Sequence, residues 1–265
     1  MKKLLTFPLF LIVMVSCEKV IDVDLNTADP KTVIDASLCA QDSVHVVFIS
    51  ESGRFTDAQG LARVSGAVVT ITDQLGVGAT FTEFDSSIYI LQGYPLIDGN
   101  TYELKVNRGD EEIVATSTLY PQIPIDSVYF EEDLFGGGGP GSDETAYRTR
   151  LIFQDPAAVA NYYRVELTVN DTIDRNFIAI NDELTNGNEQ NRPYFFRDVY
   201  EGDEVDVDLW TIDQAGFDYF RTMQDISSDG GFASATPYNP ISNLSGGLGN
   251  FTVYNRSSYS AQVTP

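Results

Sequence analysis

Three residue types that build active sites are nearly missing from this chain. Its 265 residues include one histidine, one tryptophan and two cysteines. A Ser-His-Asp relay would have to use His45, and no Gly-x-Ser-x-Gly elbow is present. A zinc centre normally draws three or four His or Cys ligands, whereas only His45, Cys17 and Cys39 exist. The sequence therefore predicts no enzyme, no cofactor and no metal centre. Carboxylate-only catalysis has no pair that stands out among 39 acidic residues. Basic residues are scarce too, 16 against those 39, for a net charge of −23. Nucleic-acid binding by counterion release needs a basic face, so that class of partner is excluded. Long apolar runs are also lacking. The longest, Leu4 to Val15, spans twelve residues, short of the ~20 that a spanning helix needs.

That short run has a different use. Lys2 and Lys3 precede it, and Ser16 and Cys17 follow. A basic start, a short apolar stretch and a small residue at the cut make an export signal over residues 1–16. Met14-Val15-Ser16-Cys17 resembles the bacterial lipobox, with Met14 where Leu is usual. The resemblance implies that the Cys17 thiol receives acyl chains and becomes the N-terminus. Each buried CH₂ contributes roughly 0.8 kcal/mol, so several chains on one residue hold firmly. Without Lys2 and Lys3 the mature chain carries 14 basic and 39 acidic residues, a net charge of −25. Anionic headgroups repel such a surface, so the lipid is the expected membrane contact. Glu18, Lys19, Asp22 and Asp24 then open a lipidated tether, 17–30. These acids read either as a surface-export signal or as a solvated linker.

The mature chain of about 250 residues suits one large domain or two small ones. Hydrophobic residues reach 43% and aromatics 12%, enough for a packed core. Cys39, in an apolar strand pattern, is expected to be a small buried residue.

Period-two alternation dominates. Thr101–Val106 sets Tyr102, Leu104 and Val106 on one face, and Glu204–Leu209 repeats the pattern. Similar strands are predicted over 32–38, 44–49, 67–72, 80–84, 87–91, 114–119, 127–130, 148–153 and 162–169. Turn signals such as Asp98-Gly99-Asn100 separate them. Many short strands predict a mainly β protein of two β-sandwich domains. The first covers 31–122; the second and larger, 123–265, carries one short helix. Prolines 121 and 124 mark the boundary. The helix is predicted over 214–226, capped by Asp213, striped by Phe217, Phe220 and Met223, and ended by Asp229-Gly230-Gly231. Its aromatic stripe is expected to pack against the C-terminal sheet. Residues 131–145, acidic around Gly136 to Gly139, are expected to form a mobile loop, since four glycines cost much entropy to order. It is no phosphate loop, for no Lys-Ser/Thr follows and the flanks are acidic.

Two resemblances add to this. Gly66-Ala67-Val68-Val69-Thr70-Ile71-Thr72-Asp73, followed by Tyr89 and by Gly99-Asn100-Thr101-Tyr102, resembles immunoglobulin-like or prealbumin-like modules of bacterial surface proteins. The whole succession is more specific: Ile125-Asp126-Ser127-Val128, Phe153-Gln154-Asp155-Pro156, Asn161-Tyr162-Tyr163-Arg164, Phe195-Phe196-Arg197-Asp198, then Gly246-Gly247-Leu248-Gly249-Asn250-Phe251. Taken in order over 17–265, it resembles a family of Bacteroidota outer-membrane lipoproteins known as a domain of unknown function (four-two-four-nine). The resemblance implies a lipid-anchored outer-membrane location and a TonB-dependent receptor barrel as partner. It carries no catalytic residues. The same motifs also read as fold-defining strand ends, strand aromatics and turn glycines.

The sequence thus predicts a noncatalytic accessory lipoprotein that helps such a receptor in nutrient capture or uptake. Alternatives are a surface glycan or peptide binder and an envelope structural or assembly component. Asp22, Asp24 and Asn26, or Glu201, Asp203 and Glu204, offer calcium-type oxygens without full loop spacing; alternate acids on a strand simply face solvent. Asp42-Ser43-Val44, Asp126-Ser127-Val128 and Asp171-Thr172-Ile173 resemble a Bacteroidota O-glycosylation motif, which makes Ser43, Ser127 and Thr172 candidate attachment sites.

Overall fold

The computed structural model describes residues 29–53, 62–133, 145–228 and 239–264. The signal, Cys17, most of the tether, residues 134–144 and the Asp229-Gly230-Gly231 helix end lie outside them. Among these described residues seventeen strands and one helix follow in order. The first nine are β1 (Thr32–Cys39), β2 (Val44–Glu51), β3 (Ala62–Arg63), β4 (Val68–Asp73), β5 (Gly78–Thr80), β6 (Thr82–Asp85), β7 (Ile88–Gln92), β8 (Thr101–Arg108) and β9 (Glu111–Thr118). Then come β10 (Ser127–Glu132), β11 (Ala146–Gln154), β12 (Tyr162–Val169), β13 (Thr172–Ile173), β14 (Ile178–Asn181), β15 (Glu189–Tyr200) and β16 (Glu204–Ile212). Helix α1 (Gln214–Ser228) and β17 (Leu248–Gln262) close the described chain.

The protein is mainly β, and its described strands form three sheets. A ten-stranded sheet runs β13-β12-β16-β17-β1-β2-β7-β6, with β14 also on β12 and β3 also on β2. A four-stranded sheet, β5-β4-β8-β9, and a three-stranded one, β10-β11-β15, accompany it. Alternation explains the layering. Ile34, Ala36 and Leu38 of β1 point inward with Val47 and Ile49 of β2, and they meet Tyr102, Leu104 and Val106 of β8. A second core joins Tyr163, Val165 and Leu167 of β12 with Val205, Val207 and Leu209 of β16 and with Leu151 and Phe153 of β11. Fully burying one such side chain stabilises by ~1.5–3 kcal/mol.

β17 serves both cores. Leu248 to Tyr254 pair in parallel with β1, while Asn255 to Gln262 pair antiparallel with β16. Phe251 and Val253 fill the first core, which ends along the chain at Leu119 before resuming at Leu244; Val263 joins the second, which begins at Ile123. Between them the strand turns polar. Asn255 Nδ2 donates to the Tyr120 carbonyl (2.6 Å), and Ser257 Oγ donates to that of Ile123 (2.7 Å). The first layered unit is therefore completed by a strand from the far end of the chain.

Helix α1 starts as the sequence predicts. Asp213 Oδ1 accepts the Gly216 N–H at 2.8 Å, an N-cap bond. Its Oδ2 accepts the Thr118 N–H at 2.9 Å, which ties the helix to β9. Phe220 is buried in a third cluster with Trp210, Ile212 and Tyr254, and Phe217 packs beside it. The expected loop 131–145 needs correction at its start. Glu131 and Glu132 belong to β10, paired with Arg148 and Tyr147. Asp133 is buried and held by both Nε and Nη2 of Arg148 at 2.5 Å. Charge pairing, absent from a count of acids alone, orders this end.

Candidate functional site

The residues singled out in the sequence fall in separate places. Cys17 is outside the described residues, as are Asp22, Asp24 and Asn26. Ser43 is exposed in the bend before β2, Thr172 is exposed at the start of β13, and Ser127 is half-buried at the start of β10. They sit on three different elements and form no common site. His45 is buried, and its Nε2–H donates to the Tyr94 carbonyl at 2.9 Å. Cys39 is buried, its thiol donating to Gln41 Oε1 at 3.0 Å, and burial pushes that thiol up. Asp203 is committed to a turn, accepting Asn170 Nδ2 at 2.7 Å and the Tyr200 N–H at 2.8 Å. Among the described residues no three His, Cys, Asp or Glu side chains gather into a metal-sized cluster.

Several motif residues serve the fold. Asp155 is buried and accepts the Tyr163 hydroxyl (2.5 Å) and the Gly187 N–H (2.8 Å). Asn161 Nδ2 donates to the carbonyls of Pro156 and Val159, closing the loop between β11 and β12. Phe153 packs edge-on against Tyr163 at 4.9 Å.

A groove of about 470 Å³ crosses the outer face of the ten-stranded sheet, where the two layered units meet beside α1. Pockets favour such junctions. One side comes from the first unit: Asp35 and Ser37 of β1 with Val44, Val46 and Phe48 of β2. These positions alternate with the inward core residues, so alternation aims them outward. The other side holds Arg164 of β12, Trp210 of β16 and Tyr219 and Phe220 of α1.

Trp210 anchors this second wall. Tyr254 stacks on it, with ring centroids 3.8 Å apart and 9° between planes. The Arg164 guanidinium lies 3.9 Å from its centroid and 4.6 Å from that of Phe220. Arg164 and Tyr254 reach the ring from strands on opposite sides of β16, so both faces of the indole are covered. Trp210 is buried and is not a free platform for a sugar.

Charge in the groove is only partly balanced. Arg164 Nη2 pairs with Glu166 at 2.9 Å, and its side chain is 12% accessible. Burial lowers its proton affinity, opposed by Glu166, Tyr254 and Asp35; a guanidinium stays charged regardless. Asp42 pairs with Arg256 at 3.3 Å. Asp35 is exposed on the outer face of β1, while neighbouring groups partly bury its carboxyl. That burial pushes its carboxyl above the ordinary value, and the Arg164 charge only offsets it. Two buried polar atoms on the far wall, Arg164 Nε and Trp210 Nε1, have no hydrogen-bond partner.

Residues 18–260 match a family model described as Domain of unknown function (DUF4249). The chain belongs to the DUF4249 family. No curated protein matches it. In this DUF4249 chain, the Tyr162–Arg164 motif contributes to both aspects of the molecule: Tyr163 fills the second core, and Arg164 faces the groove. Sequence reading treated that motif as fold-defining and missed the groove. Its one available signal was Arg164, a cation in the outward register of a strand whose cross-strand neighbour is Trp210.

Proposed function

We propose that this protein is a noncatalytic accessory lipoprotein, anchored through Cys17 in the outer membrane and working beside a TonB-dependent receptor barrel in nutrient capture or uptake. The groove carries the reading. It combines an exposed apolar strand face, with Phe48 49% and Val44 39% accessible, with Asp35, an outward-facing acid whose carboxyl the groove partly desolvates beside Arg164. Perturbed carboxyls cluster at functional sites. A site of this kind suits a partner segment that presents apolar side chains and a basic one. The lipobox-like N-terminus supports the anchor, and among the described residues no helix is long and apolar enough to cross a membrane.

Peptide capture at the cell surface is the second reading, favoured over glycan capture because both faces of Trp210 are occupied. Affinity purification of the tagged full chain from membranes tests the first reading. Co-isolation of a receptor barrel is expected; repeated recovery without any barrel would count against it.

A further inference from the structure

A second cavity, of about 400 Å³, opens between the two sheets of the second layered unit. Its depth is lined by buried side chains, Leu151, Val165, Leu167 and Val207 among them. Half-buried Ile178 and Ile180 stand at its rim.

One lining residue breaks the sandwich rule. Arg192 lies directly opposite Leu151 in the β11–β15 pair, and two residues from buried Tyr194. It therefore takes an inward position, where strands of a sandwich place apolar side chains. Neutral groups hold it. Its Nε and Nη2 donate to Gln190 Oε1 at 3.1 and 2.7 Å, and Nη2 also donates to Thr185 Oγ1 at 3.2 Å. Gln190 is itself buried and fixed by the Thr185 and Asn188 carbonyls. Among the described residues Arg192 has no carboxylate partner. In a chain with 39 acids and 16 bases, that is a guanidinium kept uncompensated and pre-positioned.

A second observation points to a ligand. Thr149, opposite Tyr194 in the same pair, lines the cavity, and its buried hydroxyl has no partner. Asp174, an acid bonded to the lining, is already engaged: it accepts the Tyr194 hydroxyl at 3.0 Å and both nitrogens of Asn176. It leaves the charge of Arg192 unanswered.

We propose that this cavity binds a free amphipathic carboxylate, with its apolar tail between the sheets and its head on Arg192. One uncompensated guanidinium matches one negative charge and can hold a carboxylate by paired N–H donors. The apolar lining selects a hydrocarbon tail. The site is separate from the outer groove and stands or falls independently of the receptor reading.

Titration calorimetry of the full chain in uncharged detergent micelles tests the proposal, with octanoate as probe and octanol as its uncharged match. Octanoate should bind at least about tenfold more tightly than octanol, the scale of one charge-assisted contact. Arg192→Gln, in the same micelles, should remove that preference while the variant still unfolds cooperatively and still binds octanol. Ile180→Trp at the rim should block both probes. Equal affinity for the two probes, or an octanoate affinity untouched by Arg192→Gln, overturns the proposal, as does no binding of octanoate at all.

Discussion

Gly249 lies so close to Ile34 that a Cβ on it would fall 1.9 Å from the Ile34 carbonyl oxygen, and its φ is +111°. This contact seats the last strand against the first in parallel register. Gly249→Ala must therefore push β1 away from β17 or give up the turn. Loss of more than about 4 kcal/mol is expected, beyond the usual range for a point substitution. Gly99→Ala is the control: φ is +82° there, but nothing lies within 4 Å, so only backbone strain of roughly 1–2 kcal/mol applies. Thermal unfolding of both variants separates the two costs.

Asp213 joins the helix to the first layered unit through two different oxygens. Asp213→Ala removes an N-cap, worth about 1 kcal/mol, and leaves the Thr118 N–H without its acceptor, a further ~1–3 kcal/mol. Asp213→Asn keeps one acceptor oxygen and should lose less than the alanine variant. Urea unfolding midpoints check the order.

The shift at Asp35 gives a pH dependence with a definite sign. Burial raises its folded-state value above the unfolded one. Between the two values the folded state binds more protons, so this group's contribution to stability falls as pH rises through that window. Asp35→Asn should then raise the melting temperature at neutral pH, and the gain should vanish below the unfolded value near 3.8. A variant that melts lower than the parent at neutral pH contradicts the assignment.

The single tryptophan makes the stack around it readable by fluorescence. Arg164→Met uncovers part of the indole and leaves Glu166 without its guanidinium partner. A red-shifted emission and a loss of about 2–4 kcal/mol are expected, from the cation–π contact and the unpaired acid together. Adding Glu166→Gln should recover part of the stability but none of the blue emission.

Much of the fold was legible in the sequence, because half-buried strands write their burial as alternation. Strand Tyr162–Val169 is the clearest case: the predicted limits are the observed ones. The two longest strands were not read. In β15, Pro193 interrupts the pattern; it is tolerated because β15 is the edge of its sheet. In β17, inward Asn255 and Ser257 face the connecting segment rather than a core, so the strand carries no apolar alternation there. Thr80–Phe84, read as one strand, is two, because Phe81 turns into the core between β5 and β6. The groove was invisible for a different reason. Its walls come from residues near 35–48, 164–177 and 210–223, which only the pairing of β17 with both β1 and β16 brings together. Asp35 alone looks like any outward-facing strand acid.

The central claim, that the outer groove is where a receptor barrel engages this protein, is tested most directly by photocrosslinking in intact cells. A photoreactive residue at position 48, in the groove, should yield an adduct with an outer-membrane barrel. The same residue at position 75, exposed in the turn between β4 and β5, should not. Barrel adducts from position 75 but not from 48, or none from either, would contradict the account.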